Sequence, residues 1–455
     1  MKKLLTLSIL SVFLLPVQAQ DGSLETTDAP MRADAKTGWS FGGVPVVAYD
    51  SDIGFKYGAL VNLYDYGDGK RYPMYDHSVY LEWSRTTKGS GINQFTWDTD
   101  KLIPGIRSFF EVSYRTERAL DFYGFNGTQA LYDADYEASL TADGFRNRLF
   151  FRHSRKYLRT KADFQGKIIG NKFRWLAGIG FYNTVIDSVD IDALNEGKTE
   201  DLLSKNSLYG FYVDEGIIPQ DQATGGAHTL LKAGLVFDTR DNEPNPFSGI
   251  WTEMQLHYLP QFLSNTQYGY SRYVFTHRQY FTIIPDWMNV AYRVSFQGKL
   301  TGDMPFYMMP YLFNTAPKLT SDGVGGSKTV RGILRNRLVG EGLAYGNLEL
   351  RSKIVKFNFI NQNWYIALSA FVDGGMVTQK FQYPDNVPAF IDPADPQATE
   401  IPVIDPLAKE KPHLSYGGGF HIVLNENFIV TADYGLAADK ADGSSGLYIG
   451  LNFLY

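Results

Sequence analysis

The sequence has 455 residues, a formal net charge of −6 and no cysteine, and 15% of its residues are aromatic. The absence of cysteine excludes a disulfide framework and the acylated cysteine by which lipoproteins are anchored. The mild negative charge does not suit a nucleic-acid partner, so none is expected.

The first 19 residues have the pattern of a secretory signal peptide. Two lysines precede an apolar stretch at residues 4–15, and a proline then precedes a small-residue cleavage pattern that ends at Ala19. The apolar stretch is shorter than the roughly 20 residues that a membrane-spanning helix needs, which argues against an anchor. Residues 20–38 are polar and too short for a domain, so we expect a brief periplasmic segment there.

From residue 39 to residue 455, alternating residue types predict strands with one apolar and one polar face. With many aromatic residues and no long apolar run, this pattern is typical of a transmembrane β-barrel; a soluble β-sandwich or a secreted sugar-binding protein is the competing class. Tyr455 is expected in the interfacial aromatic girdle, in a terminal run that resembles the assembly signal of outer-membrane barrels. The clearest apolar faces contain Met288, Val290, Tyr292, Val294 and Phe296; Trp364, Ile366, Leu368, Ala370 and Val372; and Ile449, Leu451, Phe453 and Tyr455.

The spacing of long and short connections indicates how the strands are arranged. If residues 143–168 form one long strand, all the long connections lie on one side of the membrane and all the short turns on the other. A hairpin there would place one long connection on the wrong side. We therefore predict an all-β, single-domain antiparallel barrel of about 16 strands over residues 39–455. The long connections are 118–142, 186–227, 300–342 and 375–412; the short turns include 170–171, 285–286 and 425–427.

A loop arginine stands out within the connection at 300–342, where Arg331 and Gly332 follow two further glycines. Alternation on the next two strands places Glu349 and Asp373 on the lumen side. An arginine on a loop folded into the lumen could donate forked, charge-assisted hydrogen bonds to both carboxylates, and Gly332 would permit the necessary backbone dihedrals. We therefore predict a lumen lock formed by these four residues; the alternative is a solvated arginine among ordinary lumen polar groups.

These segments together resemble the BamA/TamA family of outer-membrane insertases and translocators, also called the bacterial surface antigen superfamily. Ile333 stands where the family usually has an aromatic residue. The family usually carries periplasmic POTRA domains, and residues 20–38 leave no room for one, so the resemblance implies a member without them. The matching segments are 330–333 with 325–326, 347–350, 371–375, and, more weakly, 237–242 with 246–249, and 122–127. For 238–242 a periplasmic turn with side-chain hydrogen bonds is the preferred interpretation.

The resemblance implies insertion or export of other proteins through a weak seam between the first strand, about 39–49, and the last, 447–455. Gly42, Gly43, Gly446 and Gly450 would weaken these strands, and a poorly paired edge invites augmentation by a client strand. One alternative is a subunit of a larger complex with periplasmic or lipoprotein partners. Another is a passive or structural outer-membrane channel.

Catalytic and metal-binding patterns are not found in the sequence. The seven histidines are scattered, and no HExxH, GxSxG or P-loop pattern accompanies them, so we expect no enzyme activity, cofactor or metal site. Acidic loop stretches at 133–137 and 187–192 could bind calcium, but solvation explains them more simply. The expected partners are outer-membrane lipids, periplasmic or lipoprotein components and β-barrel clients, and the expected location is the bacterial outer membrane.

Overall fold

The computed structural model describes residues 37–455 except 52, 72–73, 139–144, 244, 315–320, 360–361, 386–401 and 425–427. The predicted signal peptide, nearly all of the segment at 20–38 and the predicted turn at 425–427 therefore lie outside the described residues. None of the helices in the described part of the chain is long and apolar enough to cross a membrane.

Sixteen strands close into one antiparallel barrel, as predicted. Two further short strands, β12 and β13, pair with each other inside one long connection. The strands are β1 Trp39–Asp50, β2 Gly54–Asp65, β3 His77–Thr86, β4 Gly91–Ile103, β5 Ile106–Asp121, β6 Arg152–Ile169, β7 Phe173–Asp187, β8 Gly225–Asp238, β9 Gly249–Leu259, β10 Tyr270–Ile284, β11 Met288–Gly302, β12 Tyr311–Leu312, β13 Ser321–Asp322, β14 Gly342–Phe359, β15 Gln362–Gln379, β16 His413–Leu424, β17 Phe428–Ala437 and β18 Ser445–Leu451.

The two faces of each strand follow the alternation in the sequence. On β14 and β15, Leu348 and Val372 are each 52% exposed on the outer face, whereas Glu349 and Asp373 are each 1% exposed on the inner face. The apolar residues thus form the belt that faces lipid, and charged residues line the lumen. The predicted faces of β14 and β15 are confirmed.

The segment at 143–168 contributes one strand and no hairpin, as expected, but this strand begins only at Arg152. Phe150 and Phe151, just before it, are fully buried among other aromatic residues of the loops. These two side chains are removed from water within the loops and not on the barrel wall, which explains why β6 begins after them.

The long connections all emerge at one end of the barrel, and they pack together into a cap. The described parts of these connections contain three short α-helices: α1 Asp135–Ala138, α2 Ile191–Asn195 and α3 Leu208–Asp214. Asn126 joins three of the connections, because its N–H donates to Val339 and its side chain bonds to the backbone of Phe381. The aromatic core of the cap includes Phe122, Tyr123, Phe125, Phe150, Phe151, Tyr209, Tyr212, Phe306 and Tyr307.

A buried carboxylate ties the cap to the barrel rim. Glu410 accepts hydrogen bonds from the N–H groups of Thr128 and Val377, each at 2.9 Å. Burial raises the pKa of Glu410, but hydrogen bonds from His413 and from these two N–H groups lower it by more, so the pKa lies below the ordinary value. The carboxylate therefore stays charged at neutral pH and holds two connections together.

The end of the chain departs from the prediction. We expected Phe453 and Tyr455 to face lipid, but β18 ends at Leu451, and Asn452 has a positive φ of 67° that turns the backbone inward. Phe453, Leu454 and Tyr455 are 8%, 6% and 5% exposed, inside the lumen. Residues 452–455, called the tail below, therefore do not form part of the lipid belt, and the predicted girdle position of Tyr455 is wrong.

Candidate functional site

Arg331 lies at the centre of the lumen, where it is 1% exposed. Its Nε and Nη2 donate to the two carboxylate oxygens of Asp373 at 2.9 and 3.1 Å, and its backbone N–H donates to the same carboxylate at 3.1 Å. Its Nη1 lies 2.9 Å from Oε2 of Glu349. The structure thus brings together Arg331 and the two carboxylates that the sequence analysis selected.

Asp433 is a third carboxylate in this group, and it was not predicted from the sequence. Nη1 of Arg331 donates to Oδ2 of Asp433 at 3.2 Å. Alternation on β17 would have placed Asp433 in the lumen, but no motif distinguishes it from other lumen polar residues. Arg331, Glu349, Asp373 and Asp433 are called the Arg331 cluster below.

Two side chains extend the electrostatics of the cluster. The Arg331 guanidinium carbon lies 3.4 Å from the ring centre of Phe371, in a cation–π contact. Nε of Arg351 donates to Oε1 of Glu349 at 2.8 Å, so a second guanidinium balances part of the negative charge. The cluster is a buried, multiply paired ion network, in which removal of one partner leaves the others uncompensated.

A serine–histidine pair beside the cluster lacks the geometry of a catalytic triad. Ser369 Oγ lies 2.9 Å from Nε2 of His421, and Asp433 approaches the same nitrogen, at 3.8 Å. In a triad the acid holds the other ring nitrogen, because the first must take the hydroxyl proton. The pair belongs to the lumen polar network, and the absence of enzyme activity stays a prediction.

Gly332 passes directly over a second glycine on the barrel wall. Its φ is +92°, and a Cβ at this position would lie 2.6 Å from the carbonyl carbon of Gly435. The Gly332 N–H donates to the hydroxyl of Tyr448 on β18 at 3.1 Å. Only glycine permits both this backbone conformation and this close approach. The loop therefore contacts the last two strands through its main chain.

The preceding loop residues are fixed to the neighbouring strands β11 and β14. Thr329 Oγ1 bridges the N–H and the carbonyl of Gly325 at 2.8 and 2.9 Å. Asn347 Nδ2 donates to the Thr329 carbonyl at 2.6 Å, and Arg293 Nη2 donates to that of Lys328 at 3.2 Å. The loop is thus held by strands β11, β14, β15, β17 and β18.

The seam between β1 and β18 is paired over a short stretch only. β1 pairs with β2 along its whole length, from Trp39 to Asp50. Among the described residues, β1 pairs with β18 only at Tyr49↔Ile449 and Asp50↔Tyr448. Three hydrogen bonds between Ser51 and Leu447, of 3.1, 2.8 and 3.3 Å, extend this contact at the long-loop end.

The predicted seam glycines occupy different surroundings. Gly42 and Gly43 lie in the part of β1 beyond its pairing with β18, opposite Asn62 and Val61 of β2. A Cβ on Gly446 would collide with the hydroxyl of Tyr448, whereas Gly450 faces open space. Gly446 thus makes room for the ring that bonds to Gly332. A role of the four glycines in opening the seam stays a prediction.

The tail is bound inside the lumen by arginines of β11 and β14. The Tyr455 hydroxyl donates to the Ala291 carbonyl at 3.1 Å, and the Tyr455 main-chain oxygen accepts from Nη2 of Arg351 at 3.1 Å. The guanidinium carbons of Arg293 and Arg351 lie 5.0 and 5.2 Å from the Tyr455 ring centre. Because the tail turns inward, it cannot continue β18 along β1.

The sequence over residues 132–453 matches the model of the Omp85 superfamily domain. The chain belongs to the Omp85 superfamily. It is an integral β-barrel of the bacterial outer membrane, as predicted, and its resemblance to BamA is confirmed. The short-turn end of an Omp85 barrel faces the periplasm, and the capped end faces the exterior.

Solved structures that share the fold of this Omp85 chain include those of BamA and CdiB. BamA from Haemophilus ducreyi lacking POTRA domains 1–3 is 14% identical, with 92% of this chain and 71% of that chain covered and a TM-score of 0.51. CdiB from Escherichia coli is 10% identical, with 91% and 62% covered and a TM-score of 0.54. The comparison with curated protein sequences found no match.

A turn at the periplasmic end of this Omp85 barrel folds across its mouth. In the β8–β9 connection, residues 239–248, Asp241 accepts hydrogen bonds from the N–H groups of Asn242, Phe247 and Ser248 at 2.9, 3.0 and 3.1 Å. Glu243 pairs with Arg107 of β5 at 3.3 Å, and Asn245 donates to Tyr365 of β15 at 2.7 Å. Strands β5 and β15 lie on opposite sides of the barrel. The segment, called the floor turn, thus spans the periplasmic mouth.

Metal binding finds no support in the described part of this Omp85 chain. No group of three or more His, Asp or Glu side chains is arranged there to hold a metal ion. The three carboxylates of the Arg331 cluster face a guanidinium, which occupies the place that a cation would take.

Proposed function

We propose that the protein takes part in assembling or exporting other outer-membrane proteins, and that the free edge of β1 receives a client strand. The observation that carries this proposal is the short seam. Of the twelve residues of β1, the described pairing to β18 includes only Tyr49 and Asp50. The remainder, 39–48, presents an edge of backbone donors and acceptors.

The chemistry of such an edge favours another β-strand. Unpaired N–H and C=O groups cost free energy in hydrocarbon. An added strand removes this cost because its own backbone groups form hydrogen bonds with them. Trp39, Phe41 and Val47 are 61%, 72% and 66% exposed on the outer face of β1, so a client strand placed beside them would continue the lipid belt. These features support β-augmentation as the mode of client binding.

Partners are part of the proposal. We assign client delivery to a periplasmic protein or lipoprotein that binds near the floor turn, with this chain as one subunit of a larger complex. Purification in mild detergent followed by mass spectrometry should find such a component in stoichiometric amount. A barrel that purifies alone under conditions that preserve outer-membrane complexes would count against the partner.

The second candidate, a passive or structural channel, has less support. The loop that carries Arg331, the tail and the floor turn all lie within the lumen or across its mouth. A channel for diffusion needs an open water-filled path, which these three segments obstruct.

The test is photo-crosslinking in cells from single positions on the outer face. A photoreactive residue at Val47, on the free edge of β1, should form covalent adducts with newly exported outer-membrane proteins. Met254 on β9 is a matched control, because it is 54% exposed to lipid and lies opposite the seam in the strand order. Adducts in equal yield at both positions, or none at Val47, would overturn the proposal.

A further inference from the structure

Strand β14 contacts three segments that obstruct the lumen: the loop, the tail and the floor turn. It does so through three successive residues that face the lumen. Glu349 binds Arg331 of the loop, Arg351 binds Tyr455 of the tail, and the Lys353 ammonium lies 5.1 Å from the ring centre of Phe247 in the floor turn. Alternate residues of a strand share a face, so these three contacts are stacked along one line from the lumen centre to the periplasmic mouth.

Arg351 is the middle residue of this line, and it serves two segments at once. Its Nε donates to Glu349 at 2.8 Å, its Nη2 donates to the Tyr455 main-chain oxygen at 3.1 Å, and its guanidinium carbon lies 4.2 Å from the ring centre of Phe453. A planar guanidinium can point different N–H groups at two acceptors while its face covers a ring. The same side chain thus binds a carboxylate of the Arg331 cluster and both aromatic residues of the tail.

The position of the tail limits how far the seam can pair. The observed register joins Tyr49 to Ile449 and Asp50 to Tyr448, so each step forward on β18 is one step back on β1. If the tail continued β18 in this register, Asn452 would lie opposite Val46 and Tyr455 opposite Gly43. The tail would then pair with residues 43–46, which are part of the free edge at 39–48.

We propose that Arg351 is a positioning residue: it retains the tail in the lumen and thereby keeps residues 43–46 of the β1 edge unpaired. The importance of an open edge rests on the proposed function, but the position of the tail does not. Glu349 links this role to the loop, because it binds both Arg331 and Arg351. The loop, the tail and the seam are thus connected through two adjacent lumen positions of one strand.

A disulfide between β1 and the tail tests the proposal directly, because the chain has no native cysteine. Val46→Cys with Asn452→Cys would be cross-strand neighbours only when the tail extends β18, and a disulfide needs Cα atoms within about 7 Å. With Arg351 intact, little of this disulfide should form. Arg351→Ala should raise its yield severalfold, measured by mass spectrometry of linked peptides after mild oxidation.

Two controls separate release of the tail from general loosening. Tyr49→Cys with Ile449→Cys lies in the paired part of the seam and should crosslink equally with or without Arg351. Arg272→Ala removes another buried lumen arginine, one that lies on β10 near the capped end and contacts Gln297 and Tyr311. It should leave the yield of the 46–452 disulfide unchanged.

The outcomes decide the proposal even if one variant fails to fold. Arg351→Gln is shorter and uncharged but keeps amide N–H donors near the position of Nε, and it should give a smaller rise in the same direction. No rise in any folded Arg351 variant, or an equal rise with Arg272→Ala, would overturn it. Because the disulfide forms within one chain, its absence refutes the role of Arg351, whereas absent client adducts at Val47 refute the proposed function alone.

Discussion

Arg331 carries one positive charge and faces the carboxylates of Glu349, Asp373 and Asp433. Buried ion networks of this kind contribute through their completeness, since loss of one partner leaves desolvated charges without compensation. Arg331→Ala should therefore lower the free energy of unfolding in detergent by about 3 to 5 kcal/mol. Urea titration monitored by heat-modifiable electrophoretic migration measures this difference.

The matched control for Arg331 lies four residues further along the same loop. Arg335 pairs with Glu117, which also accepts from Nε of Arg155 at 2.8 Å, so Arg335→Ala leaves that carboxylate paired. The loss of unfolding free energy in Arg335→Ala should be clearly smaller than in Arg331→Ala. Asp433→Asn added to Arg331→Ala should recover part of the loss, because one of the repelling charges is removed. Equal stability of the two single variants would refute an electrostatic role for Arg331.

At the scale of single elements, the floor turn depends on one carboxylate, since Asp241 accepts from three backbone N–H groups. Asp241→Ala should cost about 1 to 3 kcal/mol and should speed hydrogen exchange at 242–248, because these donors lose their acceptor. Asp241→Asn keeps one oxygen acceptor, so its stability and its exchange rate should lie between those of the wild type and of the alanine variant. Unchanged exchange in the alanine variant would mean that contacts with the wall hold the turn instead.

The strands were predictable from sequence because the solvent on each face selects the residue type. Lipid outside and ion pairs inside impose a period of two, which indicated the faces of β14 and β15. The lengths of the connections indicated the single strand β6. That alternation continues through the tail, so it gave no sign of the bend at Asn452. The bend depends on arginines of β11 and β14, far away in the sequence, and local periodicity does not report such contacts.

The candidate site was partly predictable for the same reason. Arg331, Glu349 and Asp373 lie in recognisable segments, and strand parity indicated that both carboxylates point inward. Strand alternation also places Asp433 and Arg351 in the lumen, but it places many other residues there and does not distinguish these two. Their roles come from three-dimensional proximity: Arg351 bonds to a residue 104 positions away and Arg331 to one 102 positions away.

For the molecule as a whole, the lumen is obstructed at three levels, by the loop, the tail and the floor turn. We expect the intact protein to have a small conductance in planar bilayers. Replacing residues 323–338 by a short flexible linker should increase it, because the central obstruction is removed. Shortening the exposed stretch at 192–203, which belongs to the cap, is the matched control and should have no effect. A large conductance of the intact protein would contradict this description.

The order in which the barrel assembles follows from where the partners of Arg331 lie in the chain. Asp373, Asp433 and Tyr448 are 42, 102 and 116 residues from the loop residues that they bind, whereas Ser51 and Leu447 at the seam are 396 apart. The entropy cost of closing a loop grows with its length, and non-local contacts form slowly. The last five strands can therefore assemble around the loop as an early folding unit. The first strands then join it, and the seam forms last, across the longest separation in the chain.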